Sequence, residues 1–355
     1  NERGVNSYGR FREGLELDHN ITDARTNRVR VQARQTYVFA EALRLGWRPD
    51  TSRDRVERGL GILTGLARRD DGLVGRTLQP DGSGLLDDTP DLYDIAFTLF
   101  AIAESADALG GTGETRASAG ALLDAVDRQM RDRLNGGYAE ALPRPGLREQ
   151  NPHMHLLEAC LSLHKVDPDG DHLARAAELI ALFETRFTAG PGGLLGERFA
   201  PDWSTPEGRD GDIVEPGHQF EWVWLLHAYA AATDTPVLPA AAKLYDFACA
   251  TLDEAGRACF EVTREGQPFD GSRRTWPQTE ALKAHISMLE ATGDERYAAA
   301  ACASFDILMD EFLTPDGGWI DHYGAEGDIL STFMPASTAY HVVLAFAELI
   351  RVMKA

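Results

Sequence analysis

Cysteine is scarce. Four residues in 355, Cys160, Cys249, Cys259 and Cys302, are scattered without a C-x-x-C spacing. Three of them fall in Ala/Leu-rich helical patterns, so they are expected as small buried hydrophobes of a protein in a reducing, cytoplasmic setting. Positive charge is short as well: 35 Lys and Arg stand against 56 Asp and Glu, a formal net charge of −21. Nucleic acid and anionic membranes recruit basic surfaces, so neither is expected as a partner, and highly charged substrates need a local basic pocket to overcome the global sign. No apolar run long enough to span a bilayer is read from the chain. Its first residues, Asn1-Glu2-Arg3-Gly4, carry no apolar stretch and are expected neither to be a signal peptide nor to be the first residues of the protein, since Met is missing. Nucleotide and nucleophile motifs are lacking too. There is no P-loop, no G-x-G-x-x-G after a strand, and Gly82-Ser83-Gly84 is not a G-x-S-x-G elbow. His153-Met154-His155 offers no metal pair, because i, i+2 side chains on a helix point about 200° apart. No metal and no cofactor are expected. Asp87-Asp88-Thr89-Pro90-Asp91 reads as a loop with a helix cap, the acids favoured by the helix dipole.

What is present is a repeat. A glycine signal followed by an apolar residue returns at Gly9, Gly72, Gly137, Gly193, Gly256 and Gly318, with a period of about 60 residues. Between the signals the apolar positions recur at i, i+3, i+4 and i+7. This predicts helices over 28–45, 54–68, 91–109, 114–134, 153–165, 172–187, 218–232, 238–253, 278–292, 294–312 and 338–353. Two helices per repeat and six repeats predict an all-α fold, an (α/α)6 barrel or toroid of six hairpins with long rim loops, with an open solenoid as the alternative. No linker or charge run divides 1–355, so a single domain is expected. Apolar residues at 43% suffice for its core.

Prolines mark five of the six first-helix starts: Pro90, Pro152, Pro216, Pro277 and Pro335. Thr and Asn are good N-caps and Pro a good N1 residue, which accounts for the prolines but not for the polar and aromatic residues next to them. Just after these starts come Tyr93, Asn151 with His155, His218 with Glu221, Trp276 with Glu280, and Tyr340 with His341. The first repeat adds Arg30, Arg34 and Tyr37 on a helix expected to open after Thr26-Asn27. In Glu215–Leu226, His218, Glu221 and Trp224 share one helical row, an imidazole and a carboxylate beside an aromatic floor. Six stretches bringing polar side chains at one repeat phase predict a pocket at one rim, with helix N-termini adding positive potential for an oxyanion.

These motifs resemble the N-acylglucosamine 2-epimerase superfamily, which includes cellobiose 2-epimerases, mannose isomerases and sulfoquinovose isomerases. The resemblance rests on 31–35 (Val-Gln-Ala-Arg-Gln), 91–97 (Asp-Leu-Tyr-Asp-Ile-Ala-Phe), 151–159 (Asn-Pro-His-Met-His-Leu-Leu-Glu-Ala), Pro216-Gly217-His218 with Glu221 and Trp224, Trp276-Pro277-Gln278 with Glu280, and 337–341 (Ser-Thr-Ala-Tyr-His). It implies a six-hairpin α/α barrel and metal-free proton transfer next to a sugar carbonyl. On that resemblance His218 and His341 are the acid/base pair, Arg34 stabilises the enediolate oxygen and Glu221 orients or tunes His218. Tyr93, Asn151, His155, Trp224, Trp276 and Glu280 hold the sugar. Trp222 is assigned to packing.

The same two histidines serve two outcomes. A proton returned to C2 on the opposite face gives a 2-epimer, and one delivered to C1 gives a ketose. The segment 334–341 (Met-Pro-Ala-Ser-Thr-Ala-Tyr-His) resembles the mannose isomerase branch more than the Trp-Lys-Cys-Pro-Tyr-His version of the cellobiose epimerases, which favours a mannose–fructose isomerase over a 2-epimerase. A phosphorylated sugar stays open through Arg30, Arg273 and Arg274. An α/α-toroid glycoside hydrolase using Glu221 and Glu280 is the alternative of another class. A small sugar is the expected partner, and a homodimer is left open.

Overall fold

A helix that is apolar on every side has to be covered on every side, and this requirement organises the protein into helix pairs. The structure, a computed structural model, describes residues 3–22, 27–111 and 113–354, so Thr26 lies outside the described residues. The chain forms two compact units, Asn1–Leu15 with Ile21–Leu182 and Ala200–Trp203, and Glu16–Asn20 with Phe183–Phe199 and Ser204–Ala355.

The first unit holds α1 (Val29–Arg44), α2 (Pro49–Gly61), α3 (Leu92–Leu109), α4 (Gly113–Gln129), α5 (Asn151–Val166) and α6 (His172–Leu182). Helix α3 packs on both α1 and α5, while α2, α4 and α6 back α1, α3 and α5. Helix α3 is buried nearly all round from Leu92 to Ala106, and α5 from Pro152 to Leu163. By contrast α4 buries one stripe, Ala119, Leu122, Leu123, Ala125 and Val126, and leaves its charged face in water. Helix α3 stops at Gly110, whose left-handed backbone (φ 85°) turns its N–H back onto the Ala106 carbonyl.

The second unit holds α7 (Arg209–Asp212), α8 (Pro216–Thr233), α9 (Ala240–Ala250), α10 (Thr275–Thr292), α11 (Glu295–Ile307) and α12 (Thr338–Lys354). Helix α10 is the hub, packing on α8, α11 and α12, with α9 behind α8. Trp222, fully buried, stacks on Phe183 at 4.3 Å. Contrary to the sequence expectation, one stretch is long and apolar enough to span a bilayer by length and composition alone. It is Ala336–Lys354, with a mean hydropathy of 1.3. Here its first half, from Thr338 to Ala345, supplies core residues, Ala345 packing with Leu282 and Ile286 of α10.

All eleven predicted helices are present, with shifted ends. Three run on as π-helical turns, Ile62–Leu66, Phe183–Phe187 and Leu308–Phe312, which end the predicted spans to 68, 187 and 312. The proline rule is looser than expected. Pro216 opens α8, Pro152 is the second residue of α5 and Pro277 the third of α10, while Pro90 precedes the Asp91 cap and Pro335 ends a short strand. Asn151 is a helical residue, not a cap. The loops form two-stranded ribbons, Thr77–Leu78 with Leu85–Asp87 in the first unit. In the second they are Glu261–Val262 with Pro268–Asp270, and Arg273–Arg274 with His322–Tyr323. Of the cysteines only Cys160 is buried; Cys249 on α9 is partly exposed and Cys302 on α11 exposed, because these Ala-rich second helices present one face to water, and Cys259, partly exposed, lies in a loop.

Gly59 on α2 is where α1 and α2 approach most tightly. A Cβ there would lie 2.0 Å from Thr36 Oγ1, a buried hydroxyl already donating to Gln32 O. Helix propensity alone favours Ala over Gly by about 1 kcal/mol. The clash should reverse the sign, so Gly59→Ala is expected to lower stability by about 1–3 kcal/mol. A thermal melt at or above the parent's would show that Thr36 yields.

Candidate active site

In the second unit the sequence places Gly217 inside α8, one residue before His218. Its missing side chain is needed, because a Cβ there would sit 2.4 Å from the Trp276 ring. The indole of Trp276 therefore packs onto α8, with its ring 4.9 Å from that of His218 and 5.7 Å from that of His341. One half-buried tryptophan thus neighbours both histidines.

Each histidine is held by a buried carboxylate. His218 donates from Nδ1 to Glu197 Oε2 at 2.8 Å, with Glu215 at 3.6 Å. His341 donates from Nδ1 to Glu280 Oε1 at 2.8 Å, and its ring meets Tyr340 edge-on at 4.7 Å. In both cases Nε2 becomes the nitrogen for proton exchange with a substrate. Burial alone would pull His218 down, but the charges of Glu197 and Glu215 and the hydrogen bond to Glu197 outweigh it and raise the imidazole to about 10. Glu215 moves up as well, because burial and the like charge of Glu197 oppose its ionisation more than His218 favours it. His218 is thereby an imidazolium at neutral pH.

The orienting carboxylate differs from the expected one. Glu221 was expected to orient or tune His218; the orienting Nδ1 bond is made by Glu197, 21 residues earlier, while the charge of Glu221 is among those that raise the imidazole. Glu221 gathers instead with Glu280 and His341, with oxygen and nitrogen atoms within 4.8 Å of one another, and the Glu197–Glu215–His218 group is similarly close. In both groups the imidazole Nδ1 is engaged by a carboxylate, an arrangement of charge-paired histidines. Glu280, expected to hold sugar, spends one oxygen on His341 and the other on Lys283 Nζ at 2.7 Å. Trp224, also expected to hold sugar, is half-buried with the Lys283 ammonium 4.0 Å from its ring centre.

Glu197 escaped the reading of the sequence although the repeat signals it. It lies four residues after Gly193, as Glu13, Glu140 and Asp321 lie four after Gly9, Gly136 and Gly317. All four acids reach forward to the start of the next long helix. Glu13 accepts from Arg28 N at 2.6 Å and Glu197 from Glu215 N at 3.2 Å, each at an N-cap residue. Glu140 accepts from Glu149 N and Asp321 from the Thr338 hydroxyl.

The first unit assembles a second cluster. Arg34 donates to the Tyr93 hydroxyl and lies over Phe97, its guanidinium 4.1 Å from the ring centre. His155 packs on Phe97 at 4.4 Å and Tyr93 at 5.0 Å, with Nδ1 bonded to Glu158 at 3.0 Å. Asn151, at the start of α5, has a buried Oδ1 without a hydrogen-bond partner among the described residues. His153 is structural: Nε2 accepts from Tyr138 N, Nδ1 donates to Glu149 O, and burial, then the charge of Arg148, pushes it down to about 3. Tyr37 is buried against Phe100.

The three arginines considered for a phosphate are committed to carboxylates. Arg30 pairs with Asp94 at 2.6 Å, Arg273 with Asp253 at 3.3 Å and Arg274 with Asp321 at 3.5 Å.

Comparison with known proteins identifies the family and the fold. Residues 9–345 match the family described as N-acylglucosamine 2-epimerase (GlcNAc 2-epimerase). A mannose-6-phosphate isomerase from Rhizobium meliloti (strain 1021) is 36% identical over 337 residues, covering 91% of this chain and 85% of that protein. Among solved structures, a D-mannose isomerase superposes with a TM-score of 0.89 at 21% identity, covering 99% of this chain and 94% of its own. A cellobiose 2-epimerase from Spirochaeta thermophila DSM 6192 gives 0.86 at 23%, covering 98% and 91%. These two likenesses carry the fold, which is of the all-α (α/α)6 barrel class.

The Glu197–His218 bond makes a pH prediction. Because the folded-state value of His218 lies above the ordinary ~6.5, the pairing stabilises the fold fully below that pH and is lost as pH rises through about 10. Glu197→Gln keeps an acceptor but removes the charge, and the His218 ring resonance should then titrate below about 7. A titration still near that of the parent would take Glu197 out of this role.

Proposed function

The chain belongs to the N-acylglucosamine 2-epimerase family, and on that footing we propose that it is an aldose–ketose isomerase that interconverts mannose-type and fructose-type sugars. The observation that carries this reading is a pair of buried histidines beside one tryptophan, each gripped at Nδ1 by its own carboxylate. Two general acid/base groups are what a proton shift between neighbouring carbons requires.

The chemistry runs through an enediolate. Only the open-chain aldehyde acidifies C2, so ring opening precedes the shift. His341 Nε2 takes the C2 proton, the electron pair moves into a C1–C2 double bond, and charge develops on the carbonyl oxygen. His218, an imidazolium at neutral pH, protonates the C1 oxygen; it then takes the O2 proton while His341 returns its proton to C1, so the C2 carbonyl of the ketose forms and both histidines regain their starting states. By the family resemblance Arg34 carries the oxyanion role, and an always-charged guanidinium suits it. Tyr93, Asn151 and His155 are assigned to sugar hydroxyls, with the unpartnered Oδ1 of Asn151 in support.

The proposed substrate is the free sugar. The three arginines considered for a phosphate are each paired with an aspartate, and the chain as a whole is strongly acidic. The 2-epimerase reading stands second, since the same pair of histidines serves it and a cellobiose 2-epimerase shares the fold. The hydrolase reading loses its acid, because both oxygens of Glu280 are engaged by cations or their equivalents.

Proton NMR with unlabelled mannose in heavy water tests the proposal. Fructose should form, and mannose 6-phosphate should turn over more slowly. Glucose deuterated at C2 without ketose would replace the isomerase by the epimerase, and inertness toward mannose, lyxose, cellobiose and N-acetylmannosamine would sink both. His218→Ala and His341→Ala should each lose about 10²–10⁴-fold in kcat with the helical circular-dichroism signal kept. Unchanged turnover in either removes that residue from the mechanism.

A further inference from the structure

Lys283 is a residue the mechanism above does not use, and its placement is costly. It sits on α10 with no exposed side-chain surface, paired at 2.7 Å with Glu280, which is equally buried. A lysine ordinarily keeps its ammonium in water, and a buried ion pair is weak evidence for stability. Here the ammonium is also seated on the Trp224 ring of α8, 4.0 Å from its centre, which supplies a cation–π cradle. The other oxygen of the same carboxylate holds His341 Nδ1.

We propose that Lys283 is a positioning residue that sets the charge state of His341: by neutralising Glu280 it lets His341 meet the substrate as a neutral base, while His218 meets it as an acid. The inference rests on the acid/base reading of His341. Within the second unit, the charged groups gathered at His341 include Glu221 from α8 and Glu280 from α10, with Lys283 of α10 paired to Glu280. Two carboxylates favour the imidazolium of His341, and the one ammonium offsets half of that pull. His218 faces Glu197 and Glu215, with the charge of Glu221 added, and all three are acids. The two histidines thus have matching first bonds and different charge around them, the condition under which paired groups divide acid and base roles.

The test compares the pH dependence of kcat, read by sugar NMR, in the parent and in Lys283→Met, Lys283→Gln and Lys283→Arg. In the two neutral variants the ascending limb should move up by about one pH unit or more with KM little changed, and Lys283→Arg should keep the parent's limb. A second measurement needs no variant and no turnover: in the parent, the His341 ring resonance should titrate below that of His218. An unshifted limb in a folded neutral variant, whatever its kcat, overturns the proposal, and so does a His341 that titrates at or above His218. A chain inert toward sugars with the histidines in the expected order would count against the isomerase reading instead.

Discussion

A neutral imidazole rotates, flips between tautomers and titrates near the pH of the cell. The site turns on removing those freedoms with one kind of bond, a buried carboxylate accepting from Nδ1. Glu197 does this for His218 and Glu280 for His341, both at 2.8 Å. The bond fixes ring orientation and selects the reactive nitrogen. In a buried setting it also shifts the balance between charged and neutral forms far more than the same contact would in water. Much of the second unit's local structure serves these two contacts. Gly217 makes room for Trp276 beside both rings, Glu215 N–H donates to Glu197, and Lys283 occupies the second oxygen of Glu280.

The repeat supplies the means. An acid four residues after a glycine reaches forward to the start of the next long helix in four of the six repeats, where it satisfies an N–H or hydroxyl that would otherwise lack a partner. At three of these places the contact is structural. In repeat four the same acid caps the helix with one oxygen and grips a histidine with the other. A capping device found in four repeats is thus the origin of one of the two carboxylates that hold the histidines. Helix capping and histidine orientation are consequently coupled at Glu197, which explains how a residue in a loop can be positioned tightly enough for chemistry.

The two histidines are held alike but charged differently. Around His218 the neighbours are acidic, and the imidazolium prevails. Around His341 an ammonium enters, cradled by one face of Trp224. Glu221, in line with His218 on the helix surface, belongs with His341 and Glu280 instead. The i, i+3 geometry brings two side chains to one face but leaves each able to engage a third partner: His218 Nδ1 bonds Glu197 and Glu221 gathers with Glu280 and His341, while its charge still acts on His218.

Helix spans, the six-fold repeat, the two histidines and the helices that carry them were all legible in the chain. Periodicity and spacing are local properties, and burial on every face of α3, α5, α8 and α10 follows from their composition. The family motifs added the chemistry. The pairing of acids with histidines was not legible: Glu197 is 21 residues from His218 and Glu280 is 61 from His341, and neither the repeat that marks Glu197 nor the motif that marks Glu280 says which nitrogen it meets. Which carboxylate meets which nitrogen depends on how helices α8, α10 and α12 pack, and so does the fate of Lys283, an i+3 neighbour that linear reading would leave in solvent. Burial turned those neighbours into a charge network, because only inside the fold, with water excluded, does a unit charge a few ångströms away govern whether an imidazole holds its proton.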